Sequence, residues 1–226
     1  HQMLPIEAWR DRYVGVPFAP RGTVPDYFRV IAANDGTEVR ASLPLSDRGW
    51  SGGLARLGAG QWVEFATNQP FELVATGPIQ VAHYMAGSQA PGVPQTCASA
   101  AGQVGLGDPA LTVLVPNAQW RDSYTILIPN GYTEDWLSLY GEPGTSVTIR
   151  GNDGSRATAS LDQPIAGTAW AYTRWPVPRA AGGATTATNV FKLSAPSPFG
   201  TEVSGMSCAV SYAYPGGLNL RDAESP

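Results

Sequence analysis

The chain spells nearly the same pentapeptide twice, WRDRY at residues 9–13 and WRDSY at residues 120–124, and each copy follows a proline by four positions, Pro5 and Pro116. Two further anchors repeat in the same order. Gly36-Thr37 followed by Val39 answers to Gly144-Thr145 followed by Val147, and FELVATGP (71–78) shares F-x-L-x-A-x-x-P with FKLSAPSP (191–198). The offsets are 111 (9 to 120), 108 (36 to 144) and 120 (71 to 191), so the copies differ only in loop lengths. An internal duplication forces each half to fold as the same small unit.

Which unit is set by punctuation and pattern. The chain holds 26 Gly and 20 Pro and only 14% charged residues, well below the roughly 25% of an ordinary soluble domain. Gly and Pro end segments, while Val, Thr and aromatics suit pleated surfaces. Asn34-Asp35-Gly36 supplies the positive φ of a tight hairpin between two alternating runs. Strands are expected at 13–18, 27–32, 37–43, 61–66, 71–75 and 79–85. A second series is expected at 124–128, 136–140, 146–150, 157–161, 169–177, 190–194 and 202–214, broken near Gly205. Short strands with turn signals every 8 to 12 residues predict antiparallel sandwiches. The fold class is therefore all-β, two tandem, internally duplicated antiparallel β-sandwich units, at 1–90 and 108–226. The small, polar stretch at 91–107 reads as a linker or long loop, and Asp108-Pro109 as a turn into the next strand.

The two cysteines, Cys97 and Cys208, lack the CxxC spacing of structural zinc. In an exported chain they read as a disulfide, closing a loop of about 110 residues worth roughly 4 to 5 kcal/mol in the chain-entropy model; in a cytosolic chain they read as two buried thiols. The formal charge of -4, with one lysine and thirteen scattered arginines, forms no basic stripe along the sequence, so nucleic acid is not expected as a partner. No run of 18 apolar residues predicts a membrane span. Residues 1–20 lack the pattern of a secretory signal, and the start reads as a module processed or excised from a longer chain.

Several blocks together, HQMLP with WRDRYVGVPF, YFRVIAANDGTEV, PIQVAHYMAG, GDPALTVLVPNAQW and PFGTEVSGMSCAVSYAYPGG, resemble the N-terminal domain of the IgG-Fc-binding protein family, in a bacterial member. The resemblance implies an extracellular or cell-surface, all-β, non-catalytic module assigned to binding or adhesion. It does not carry immunoglobulin binding with it, because function resides in sites and not in folds.

The residues agree in offering little chemistry. His83 is a lone strand histidine and reads as packed or hydrogen-bonded; no Gly-x-Ser-x-Gly elbow occurs. Glu64, Glu72, Asp135 and Glu202 alternate with apolar residues and read as solvated strand faces. Asp35, Asp47, Asp108 and Asp153 fall in turns, where such side chains cap backbone groups, so neither metal nor cofactor is expected. The strongest binding surface is WAYTRW (170–175), where a period of two sets Trp170, Tyr172 and Arg174 on one face. That composition suits a protein hot spot or sugar stacking; it equally suits the junction between the halves. Trp50, among the glycines of DRGWSGG, is a second anchor or a residue folded inward. The expected partner is an extracellular protein or glycan. The competing readings are a subunit of a surface assembly, pairing with other copies of itself, and a carbohydrate-binding or carbohydrate-active domain.

Overall fold

The computed structural model describes residues 3–99, 102–178 and 189–219. Residues 100–101 of the expected linker and 220–226 of the expected second unit lie outside them.

The repeated pentapeptide opens each unit in the same way. Pro5 caps a single 3-10 turn, Ile6–Ala8, because its fixed φ suits a helix start and it has no N–H to leave unpaired. The Trp9 indole donates to the Leu4 carbonyl at 2.9 Å, and the buried Tyr13 hydroxyl donates to the Ile79 carbonyl at 2.6 Å. In the second copy Pro116 caps Asn117–Gln119, Trp120 donates to Val115 at 3.2 Å, and Tyr124 donates to Phe199 at 2.5 Å. Each tyrosine hydroxyl also accepts a backbone N–H, from Arg10 or Arg121. The conserved letters are thus the pins that fix how the chain enters the sandwich.

In the first unit the strands are β1 (Arg10–Gly15), β2 (Asp26–Ala32), β3 (Thr37–Ala41), β4 (Leu54–Leu57), β5 (Trp62–Thr67) and β6 (Phe71–Met85); a ribbon of β7 (Cys97–Ser99) and β8 (Gly102–Val104) and then β9 (Ala110–Val113) follow. In the second they are β10 (Arg121–Leu127), β11 (Glu134–Gly141), β12 (Ser146–Gly151), β13 (Arg156–Ser160), β14 (Gln163–Pro164), β15 (Ala171–Pro176), β16 (Val190–Ser207) and β17 (Val210–Pro215). Apart from β14 and the β7–β8 ribbon, the pairing order repeats from one unit to the other. The first half of β6 lies between β1 and the β3–β4 hairpin, and its second half between β9 and the β2–β5 pair. Likewise β16 runs first between β10 and β12–β13, then between β17 and β11–β15. One long bent strand per unit therefore serves both layers of a sandwich. The sequence divides each into two because Gly77-Pro78 and Pro196 to Pro198 look like stops.

Each unit has its own core. Phe28, Phe65, Phe71 and Trp50 interlock in the first, and Leu137, Leu139, Ile149 and Phe199 fill the second. Two further clusters straddle the joint. Val14, Val16, Val115, Trp120, Tyr140 and Ile165 form one, and Phe18, Met85, Met206 and Ala213 the other. Gly205, expected to break the last strand, instead continues it, paired with Asp135 on one side and Tyr212 on the other, and a Cβ there would collide with both side chains. The turn comes at Ala209, with φ 53°. The strand β9, on the second-unit side of the division the sequence suggests, is hydrogen-bonded to β6 of the first.

Cys97 and Cys208 form a disulfide, with Cα atoms 5.5 Å apart. It fastens the ribbon to the turn between β16 and β17. Hydrogen bonds from Gly107 to Ser207 (2.8 Å) and from Ala209 to Gly105 (3.2 Å) flank it, so the connector is held along its end.

Candidate functional site

The aromatic row expected as a binding surface lies at the joint. β15 keeps its period of two: Ala171 and Trp175 pack into the second core, while Trp170 and Tyr172 pack on the cluster shared with the first unit. The Trp170 indole donates to Glu72 Oε1 at 2.8 Å and its ring meets Trp120 edge-on at 5.1 Å. Arg174 Nε donates to the Pro17 carbonyl at 2.9 Å, and its guanidinium lies 5.2 Å from the centre of the Tyr172 ring. Trp50 is only 4% exposed, its ring edge-on to Phe65. The glycines around it turn the loop back over the first core and remove it as an exposed anchor.

Beneath the joint sits a buried ionic network. His83, on β6, is fully buried, with Nε2 at 3.0 Å from Asp26 and Nδ1 at 3.2 Å from Glu202, a residue of the other unit. Phe18 and Phe28 stack on its two faces at 3.8 and 4.2 Å. Burial pushes the imidazole's pKa down, but the charge of Glu202 and the hydrogen bonds and charge of Asp26 prevail and raise it to about 9. At neutral pH it is therefore an imidazolium held between two carboxylates, with both nitrogens occupied and both faces covered. Such a group holds two units together and cannot exchange protons with a substrate. Glu202 and Asp135, expected on solvated faces, are 2% and 3% exposed. The residues 199–206 are buried without alternation because the first unit covers the second face of the sheet. Asp135 accepts the Tyr212 hydroxyl at 2.8 Å.

The register of the two units locates a surface that the sequence conceals. Phe28 pairs with His83 and Leu137 with Val203, which makes Ile31 opposite Trp62 equivalent to Tyr140 opposite Tyr172, and Arg29 opposite Glu64 equivalent to Ser138 opposite Arg174. The row that docks the second unit is thus matched in the first by Trp62 and Glu64, which meet no described residue of the other unit. Trp62 is 54% exposed. The Arg29 guanidinium lies 4.4 Å from its ring centre and 5.5 Å from that of Tyr84. Glu64 is held by Arg29 and Arg48, each at 3.0 Å, so the aromatic face is braced by a cation that is itself fixed. No local signal marks Trp62 as the exposed member of the pair; only the pairing of the two units does.

Among the described residues no group of three or more His, Cys, Asp or Glu side chains has the arrangement to hold a metal ion, and the turn residues Asp35 and Asp153 accept backbone N–H groups. No described helix is long and apolar enough to cross a membrane.

The fold and its centre define an all-β protein of two corresponding sandwich units, joined by shared apolar clusters and a buried histidine. Residues 1–205 match the family model described as IgGFc binding protein, and the chain belongs to that family. No curated protein and no solved structure matches it significantly.

Proposed function

We propose that the chain is an extracellular, non-catalytic binding or adhesion module that takes hold of a macromolecular partner through the outer face of its first unit. The observation that carries this reading is Trp62, a large apolar ring left exposed and held in place by Arg29. Trp and Arg dominate binding hot spots because a fixed ring and guanidinium make contacts at little cost in lost freedom. Family membership supports a binding role, and the disulfide agrees with an oxidising compartment. In this reading Trp170, Tyr172 and Arg174 serve the joint, and the closure of the His83 centre to solvent supports a non-catalytic role.

The test measures binding of the full chain to immobilised immunoglobulin Fc, the partner in the family's description, to extracellular matrix proteins and to a glycan array. Trp62→Ala is expected to weaken the binding found by roughly tenfold or more while leaving the melting temperature unchanged. Binding indifferent to this substitution would place the grip elsewhere. Light scattering separates the alternative of an assembly subunit, whose copies would form multimers that grow with concentration.

A further inference from the structure

The outer face of the second unit carries a row of side chains that packing does not explain. Reading across adjacent strands, Thr125 pairs with Lys192, Lys192 with Arg150, and Arg150 with Arg156. Three cations therefore stand directly opposite one another on neighbouring strands spaced about 4.8 Å apart. Like charges so placed destabilise a sheet. No ion pair relieves them: among the described residues none of the three, nor the nearby Arg121, lies within 4.0 Å of a carboxylate. Cavities of about 620 and 430 Å³ share Lys192 and Arg150, and among the described residues no Asp or Glu lines either.

A second row runs beside the first. Ser123, Ser194, Thr148 and Thr158 pair across the same four strands, a line of hydroxyls parallel to the line of cations. The matching positions of the first unit differ in kind. There Val14 pairs with Glu72, Ser42 donates its N–H to Glu72 at 2.9 Å, and the second unit covers them, with Val14 fully buried. Glu38 there neutralises Arg40 and Arg56. The face that accepts protein in one unit is open and cationic in the other.

We infer that this face is a binding site for a sulfated polysaccharide, with Lys192, Arg150 and Arg156 taking sulfate groups and the hydroxyl row taking sugar hydroxyls. Guanidinium groups suit oxyanions because they donate in a fixed fork. The cations stand on the face of the layer that runs from the edge strand β10 to the edge strand β13, so an acidic peptide pairing its backbone with either edge would reach only one end of the row. It also presents no exposed aromatic ring on which a nucleic-acid base would stack. The site lies on the other unit from Trp62 and stands independently of the function proposed for that residue.

The experiment uses the full chain and heparin as the probe, with desulfated heparin, poly-glutamate and single-stranded DNA as comparators. Heparin binding is expected at low salt, falling as salt rises. Substituting Lys192→Ser together with Arg150→Thr is expected to weaken it by roughly tenfold or more. Because the like charges oppose each other in the fold, the same double substitution is expected to leave the melting temperature unchanged or raise it. Trp62→Ala is expected to retain heparin binding, which separates the two sites. The inference is overturned if desulfated heparin, poly-glutamate or DNA binds as tightly as heparin, if the double variant binds like the original, or if the chain self-associates through this face and excludes heparin.

Discussion

His83 shows how far a single residue departs from its sequence appearance. One histidine in an apolar strand reads correctly as packed, but its second carboxylate comes from a residue 119 positions away, which no local pattern reveals. Trp50 and Trp62 make the same point in reverse. Flanking glycines advertise Trp50, which is buried, while the ordinary strand residue Trp62 is exposed; burial depends on which face a neighbouring unit covers. The histidine's protonation gives a prediction with a definite sign. Its folded pKa, about 9, lies above the ordinary 6.5, so the stability it contributes, about 3 kcal/mol, is fully present below pH 6.5 and is lost as pH rises through 9. His83→Gln, which leaves Glu202 and Asp26 buried without their cation, is expected to lose at least about 3 kcal/mol at pH 7. Urea unfolding of both proteins between pH 6 and 10 checks this. The gap between them should narrow as pH rises, and a constant gap would mean that the imidazole is already neutral.

Among elements, hairpins and alternating strands were legible, since turn glycines and a period of two are local signals. The four-residue β4 and the two-residue β14 were not, because so short a strand exists only through its neighbour's hydrogen bonds. Nor was the continuity of β6 and β16: proline stops a strand only where its missing N–H would have had a partner, and glycine only where the backbone takes a turn conformation. The paired tyrosines show what the repeated pentapeptide does for its element. Tyr13 and Tyr124 tie the first strand of each unit to the bend of the long strand. Tyr13→Phe and Tyr124→Phe are each expected to cost about 1 to 3 kcal/mol, because the buried carbonyl of Ile79 or Phe199 loses its donor. As the two sit in different units with no shared partner, their effects should add to within about 0.5 kcal/mol. Chemical denaturation of the single and double variants measures both quantities, and a neutral Tyr124→Phe would show that the second corner is held by its apolar contacts alone.

For the whole molecule, the doubled sequence announces two units but not how they are joined. The joint consists of residues whose roles differ between the copies: Val14 where the second unit has Thr125, Glu72 where it has Lys192, Trp170 where the first has Gly60. A repeat predicts likeness, and the contact between its copies depends on these differences. Two kinds of linkage act there, the disulfide along the connector and the noncovalent surface formed by the two shared clusters and His83. They can be separated. Replacing both Cys97 and Cys208 by serine is expected to lower stability by about 4 to 5 kcal/mol, the entropy released to an unfolded chain that no longer carries a loop of about 110 residues. The folded state should keep its joint, because Phe18, Met206 and the Trp120 cluster remain packed across it. Thermal unfolding of the variant should accordingly stay a single transition by calorimetry, shifted downward, with the same transition seen by far-ultraviolet and near-ultraviolet circular dichroism. Two resolved transitions would mean that the sulfur bridge, and not the shared interior, makes the two units one cooperative body.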